Sequence, residues 1–158
     1  MKKEKNPGAI GREEALTKIH RYCAYQERCH SEVRNKLSEF GMWGEDSDNI
    51  MAQLIQEGFL NEERFAKMFA GGKFRVKKWG RLKIRRALEE KYVSEYCISK
   101  GLEEINETEY LAALKNIIHT KDASLDEENI YTRKNKISKY AAGKGYEPEL
   151  VWSILGRN

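Results

Sequence analysis

The chain has 158 residues, 34% of them charged and 40% hydrophobic, with a formal net charge of +4. That length fits one domain or a short array of small units, and it can bury a core without disulfides or metals. A charge so near balance excludes a chain that is a polyanion binder over its whole surface, so the placement of the cations decides the reading.

The residues preceding the first helix, 1–12, are polar and read as a flexible tail with no apolar run of signal-peptide length. A first helix is expected from Glu13 to Glu27, with Leu16, Ile19 and Cys23 as its apolar stripe. Ser31 suits the cap of a second helix, which buries Val33, Leu37 and Phe40 and ends at Gly41. Asp46, Ser47 and Asp48 offer caps for a third, with Ile50, Leu54 and Ile55 inward and Gly58 closing it. Asn61 caps a fourth, lined by Phe65, Met68 and Phe69, and Phe59 reads as core. Ser94 caps a sixth helix with Cys97 and Ile98 inside and Gly101 after it. Asn106 and Glu109 have capping-box spacing for a seventh, whose face is Tyr110, Leu111, Leu114, Ile117 and Ile118. A loop is expected over 120–126, an eighth helix opening at Ser124 and Glu127, and a ninth starting at Pro148 with Leu150, Val151, Ile154 and Leu155 inward. With prolines only at 7 and 148 and an interior rich in good helix formers, the fold class is all-α.

The basic stretch Lys73 to Lys91 completes the fourth helix, turns at Gly80 and forms the fifth. Ile84 and Leu88 lie four apart with Ala87 beside them, one buried stripe on a helix whose other face is cationic. Lys73, Arg75, Lys77, Lys78, Arg81, Lys83, Arg85 and Arg86 are the candidate contacts for a polyanion or an acidic partner. Solvated helix face is the plain alternative for all eight. Trp79, between Lys78 and Gly80, suits interhelical packing better than stacking on a base. Arg34 and Arg64 are expected in ion pairs within the chain.

Cys23, Cys29 and Cys97 are odd in number and lack a two-residue clip, as suits reduced thiols in the cytoplasm. No stretch approaches the roughly 20 apolar residues of a membrane span. His20, Cys23, Cys29 and His30 fall close together, yet their spacing matches no zinc pattern. Gly71-Gly72-Lys73 is too short for a phosphate-cradling loop, and the three histidines have no triad partners. The chain therefore reads as a binding protein rather than an enzyme, with no metal or cofactor.

The segments Leu37-x-x-x-Gly41-Met42, Leu88-x-x-x-Tyr92-Val93 and Ala141-x-x-x-Gly145-Tyr146 recur at offsets of 51 and 53 residues. Each comes late in a helix and precedes a cap and a further short helix. Three consecutive three-helix repeats follow, with the tail at 1–12 and the repeats at 13–58, 59–104 and 105–158. Such units stack in series into an elongated, curved body.

Three stretches carry a family resemblance: Ser31-Glu32-Val33-Arg34-Asn35-Lys36-Leu37, Gly58-Phe59-Leu60-Asn61-Glu62-Glu63-Arg64-Phe65-Ala66, and Trp79-Gly80-Arg81-Leu82-Lys83-Ile84. With Gly145-Tyr146 they make the chain resemble the RecX family of RecA regulators over roughly 14–155. The resemblance implies tandem three-helix repeats and binding to the RecA recombinase and its nucleoprotein filament; a monomer is expected. It also implies limits on filament extension and on recombinase and ATPase activity in recombination and repair, with direct contact to single- or double-stranded DNA left open. The chain departs from the family pattern at Tyr92, where glycine is usual, at Glu62 and Glu63, where aspartate is common, and at Ala142-Gly143-Lys144, where the family is often more basic. A sequence-nonspecific DNA- or RNA-binding helical module without a recombinase partner is the second reading, and a helical-repeat adaptor the third.

Overall fold

The computed structural model describes residues 10–156, and among them the chain forms nine α-helices and no strand. They fall into three triples: α1 (Arg12–Tyr25), α2 (His30–Glu39) and α3 (Gly44–Gln56), then α4 (Glu62–Lys77), α5 (Arg81–Glu90) and α6 (Glu95–Leu102), then α7 (Glu107–Ser124), α8 (Ile130–Gly143) and α9 (Pro148–Leu155). The most closely packed helix pairs all lie within one triple, so the fold is all-α and built from three-helix repeats in series. Residues 1–9 of the expected tail lie outside the described residues. Ile10 is anchored, donating its N–H to the Phe40 carbonyl at 3.1 Å and packing on the first core.

The recurring segments seen in the sequence share one backbone device. At the end of α2, α5 and α8 the chain makes a left-handed residue, at Gly41 (φ 84°), Tyr92 (φ 59°) and Gly145 (φ 98°). The next N–H then reaches back five residues: Met42 to Leu37 at 2.9 Å, Val93 to Leu88 at 3.1 Å, Tyr146 to Ala141 at 3.2 Å. This closure satisfies the last helical carbonyls and sets the following apolar residue into the core. Met42, Val93 and Tyr146 are all buried.

Local caps behave as their chemistry dictates at Asn61, Ser94 and Asn106, whose side-chain oxygens accept from Arg64, Cys97 and Glu109 N–H at 2.9, 3.2 and 3.0 Å. Five expectations fail. Ser31 does not cap α2: Cys29 takes that position, with Glu32 accepting its N–H at 3.0 Å, and the Ser31 hydroxyl donates to the Lys91 carbonyl 2.6 Å away. α3 starts at Gly44, two residues before the expected caps, and Ser47 is buried inside it. The expected loop over 120–126 is helical as far as Ser124, and Asn129 rather than Ser124 caps α8. Gly101 lies inside α6, pressed so close to α4 that a Cβ would stand 2.7 Å from the Ala66 carbonyl. Ile55, Phe59 and Met68, expected inward, are exposed.

Two cores result. Ala15, Ile19, Val33, Leu37, Ile50, Leu54 and their neighbours fill the first triple. A second core runs without a break from Phe65 and Phe74 through Ile84 and Leu88 to Tyr110, Leu114, Tyr146 and Val151, so the second and third triples share it. Across the first junction the cores exchange one residue each: Leu60 belongs to the first core and Cys29 to the second.

Candidate functional site

The basic tract forms the last turns of α4, a tight connection, and α5. α4 stops because Lys78 turns left-handed (φ 58°), and the Trp79 N–H closes onto the Lys73 carbonyl at 3.2 Å. Gly80 then lets the chain pass against the third triple. Its N–H donates to the Lys144 carbonyl at 2.7 Å, and the Leu82 N–H to Gly145 at 2.9 Å. A Cβ at Gly80 would overlap the Gly145 carbonyl, and one at Gly145 would stand 2.6 Å from the Lys83 nitrogen. Both glycines are therefore required by backbone contact between repeats.

Of the eight candidate cations, five stand on open surface, Lys73 is half-buried, and two are committed to ion pairs. Arg81 stacks its guanidinium 3.9 Å from the Tyr110 ring centre and pairs with Glu147 at 2.8 Å and with Glu107. Arg85 pairs with Glu95 at 2.7 Å. These two share a face, as their spacing requires, but carboxylates of the chain occupy them. Among the described residues, no carboxylate pairs with Lys73, Arg75, Lys77, Lys78, Lys83 or Arg86. Lys73 and Lys83 hold their ammonium groups 4.9 and 4.7 Å from the Trp79 ring centre. Trp79 is half-buried against the second core, so it serves as a packing residue whose face is capped by cations.

Beneath this surface the joint is aromatic. Tyr110 and Tyr146 stack with centroids 5.0 Å apart, and Phe74 lies 5.8 Å from Tyr110. The Tyr110 hydroxyl donates to Glu147 and accepts the Arg81 N–H at 3.1 Å, and the Tyr146 hydroxyl donates to the Lys78 carbonyl at 2.9 Å. Burial first, then the Glu147 carboxylate, pushes both phenols up, Tyr146 to about 12 and Tyr110 further. They are neutral donors at any physiological pH.

Sequence reasoning missed the contribution of the third triple. Lys144 and Lys121 stand by the same joint, their ammonium groups 5.5 and 4.7 Å from the Tyr140 ring centre. Lys144 directly precedes the recurring Gly145, which was the available signal; Lys121 had none, because its place depends on how α7 packs on α8. The four residues weighed as a metal site part company: His20 faces Glu57 at 3.2 Å, His30 faces Glu62, and burial raises the Cys23 thiol to about 11 and Cys29 in the same direction. Arg34 pairs with Asp48 at 2.7 Å and Arg64 with Glu27 at 2.5 Å, both within the chain. Among the described residues, no helix is long and apolar enough to cross a membrane.

The family model for RecX, second three-helix domain, matches residues 61–102, which span α4 to α6. The regulatory protein RecX of Pelodictyon phaeoclathratiforme is 31% identical over 130 residues, covering 81% of this chain and 79% of that protein. The chain belongs to the RecX family. Regulatory protein RecX of Lactobacillus johnsonii is 29% identical over 86% of this chain but only 50% of its own length. The chain thus spans about half the length of the first curated relatives it matches. The fold agrees with that of two RecX crystal structures. One, from Lactobacillus salivarius, has a TM-score of 0.84 at 17% identity and covers 91% of this chain and 94% of that one. The other has a TM-score of 0.81 at 19% identity, over 91% and 70%.

Proposed function

We propose that this RecX-family chain binds the RecA recombinase and its DNA filament and limits filament extension, strand exchange and ATP turnover, without chemistry of its own. The observation that supports this is the row of six cations at the end of α4 and on α5 that, among the described residues, no carboxylate neutralises. A helix face is ordinarily balanced by neighbouring acids, as Arg81 and Arg85 are here. Lysines and arginines left unbalanced on one surface attract a phosphate backbone or an acidic protein groove. The repeat boundaries at 58/59 and 104/105, a monomeric body and a cytoplasmic site of action belong to the same proposal.

The test is RecA-dependent ATP hydrolysis on single-stranded DNA with the chain added at sub-stoichiometric amounts. Inhibition well below one molecule per recombinase subunit is expected. The triple charge reversal Arg75→Glu, Lys77→Glu, Arg86→Glu should weaken it at least tenfold, because no carboxylate among the described residues pairs with any of the three. Unchanged inhibition by a folded triple variant sinks the proposal. Inhibition that needs saturating protein and vanishes as free DNA is supplied points to simple competition for nucleic acid, without a recombinase partner.

A further inference from the structure

The cleft between the second and third triples is lined by the ends of three helices. Lys77 and Lys78 come from the end of α4, Thr120 and Lys121 from α7, and Tyr140 and Lys144 from α8 and its cap. Its volume is about 310 Å³, and no acidic side chain lines it. Two acids of the third triple are engaged elsewhere: Asp122 with Arg133, and Glu127 with Lys136 at 3.3 Å. Helix C-termini attract lysines on their own account, each presenting roughly half a negative charge. Three such ends offset about one and a half of the four lysine charges, which leaves a clear positive excess. Two of the ammonium groups, those of Lys121 and Lys144, are gathered onto one ring, that of Tyr140. Lys78 further holds a left-handed backbone that glycine or asparagine would adopt at less cost, so a cation is kept at the cleft's edge against the local preference.

From this geometry we infer that the cleft is a phosphate-binding site that receives the backbone phosphodiester of a nucleic-acid strand. It would extend the open face of α4 and α5 into the third triple. A second cleft, of about 470 Å³, lies on the other side of the α8 terminus, where Lys83 and Arg86 face Ala142 and Gly143. Together the two clefts would let a strand run along the joint between repeats, and the fixed backbone contact at Gly80 and Gly145 would hold its lysines at a constant spacing. The biological setting rests on the filament reading above; the binding itself does not.

The experiment uses the full chain and a fluorescein-labelled oligodeoxythymidylate, with affinity followed by anisotropy across a salt series. Each phosphate contact contributes about 0.7 to the slope of log K against log salt on a single strand, so Lys121→Gln with Lys144→Gln should reduce the slope by about 1.4. Affinity at low salt should fall about tenfold. Lys121→Arg with Lys144→Arg should restore both, which a mere packing role for Tyr140 would not require. Lys115→Gln with Lys139→Gln, exposed on the same triple outside the cleft, should change neither. An unchanged slope in the Lys121/Lys144 variant overturns the site. Displacement of the strand by inorganic pyrophosphate at micromolar concentrations overturns the strand as ligand and assigns the cleft to a free phosphate. The ATPase assay on the same variant separates the two proposals: a lost slope with intact inhibition keeps the cleft and counts against a DNA-facing filament mechanism.

Discussion

The two joints between repeats are built from different materials. The first is mostly polar. Arg64 reaches from α4 to Glu27 at 2.5 Å and to the Gly58 carbonyl at 2.9 Å, and Glu62 accepts the His30 N–H. Ser31 donates to the Lys91 carbonyl, and Lys91 pairs with Glu32 at 3.5 Å. The second is a continuous apolar and aromatic core locked by backbone hydrogen bonds through two glycines. Exposed ion pairs are worth a fraction of a kcal/mol to about 1 kcal/mol and weaken with salt, whereas core packing is insensitive to salt and intolerant of volume change. The second joint is thus a fixed element and the first an adjustable one. The candidate cations lie on the fixed side, where their spacing is set by the fold.

The strongest way to break this contrast is at Gly145. Alanine there adds a Cβ against Lys83 and imposes a left-handed backbone at φ 98° on a residue that resists it. Gly145→Ala should lower stability by about 3 kcal/mol or more, read from urea unfolding, with the second and third triples affected together. If hydrogen exchange instead showed the third triple opening alone, the shared core would not be the unit of cooperativity.

How far the sequence reveals this depends on the reach of each interaction. Asn61, Ser94 and Asn106 were legible as caps because each acts on an N–H three residues on. The recurring segments at the ends of α2, α5 and α8 were legible because the closing hydrogen bond spans only five residues. Ser31 was misread because its partner is Lys91, 60 residues away, and that partner outcompetes a local N–H that Cys29 and Glu32 already serve. Ser124 was misread because α7 runs on through it and its hydroxyl donates back to Lys121. For the site, the position of the basic tract was legible and its pairing was not. Arg81 and Arg85 look like Arg75 and Arg86 in sequence, and only the fold brings Glu107, Glu147 and Glu95 to them. Lys121 and Lys144 could join the tract only after α7 and α8 were placed.

The first joint should answer to salt. Arg64 is partly exposed and Glu27 less so, and one Glu27 oxygen is buried without a hydrogen-bond partner among the described residues. Arg64→Gln removes the ion pair and leaves that carboxylate buried with less compensation. Stability should fall by about 1 kcal/mol at low ionic strength, and the difference from the parent should shrink as salt is added. Faster amide exchange should be confined to α1 to α3. An equal loss at high salt would mean that Arg64 acts through packing of its stem, and the first joint would then resemble the second.

The smallest effect sharpens the contrast most directly, because Tyr92 and Gly145 are the same position in successive repeats. Both are left-handed and both close a helix, yet Gly145 is buried against Lys83 while Tyr92 is 85% exposed at the first joint. At Gly145 the backbone angle and the space each demand glycine. At Tyr92 only the angle does, so a side chain is tolerated at the cost of strain of about 1 kcal/mol. Tyr92→Gly relieves that strain but loosens the unfolded chain, which offsets part of the gain. A net stabilisation of about 0.5 kcal/mol is expected, seen as a slightly higher urea midpoint. A loss of stability would show that the Tyr92 ring makes a contact the first joint needs, and the joint would then owe more to apolar cover than its ion pairs suggest.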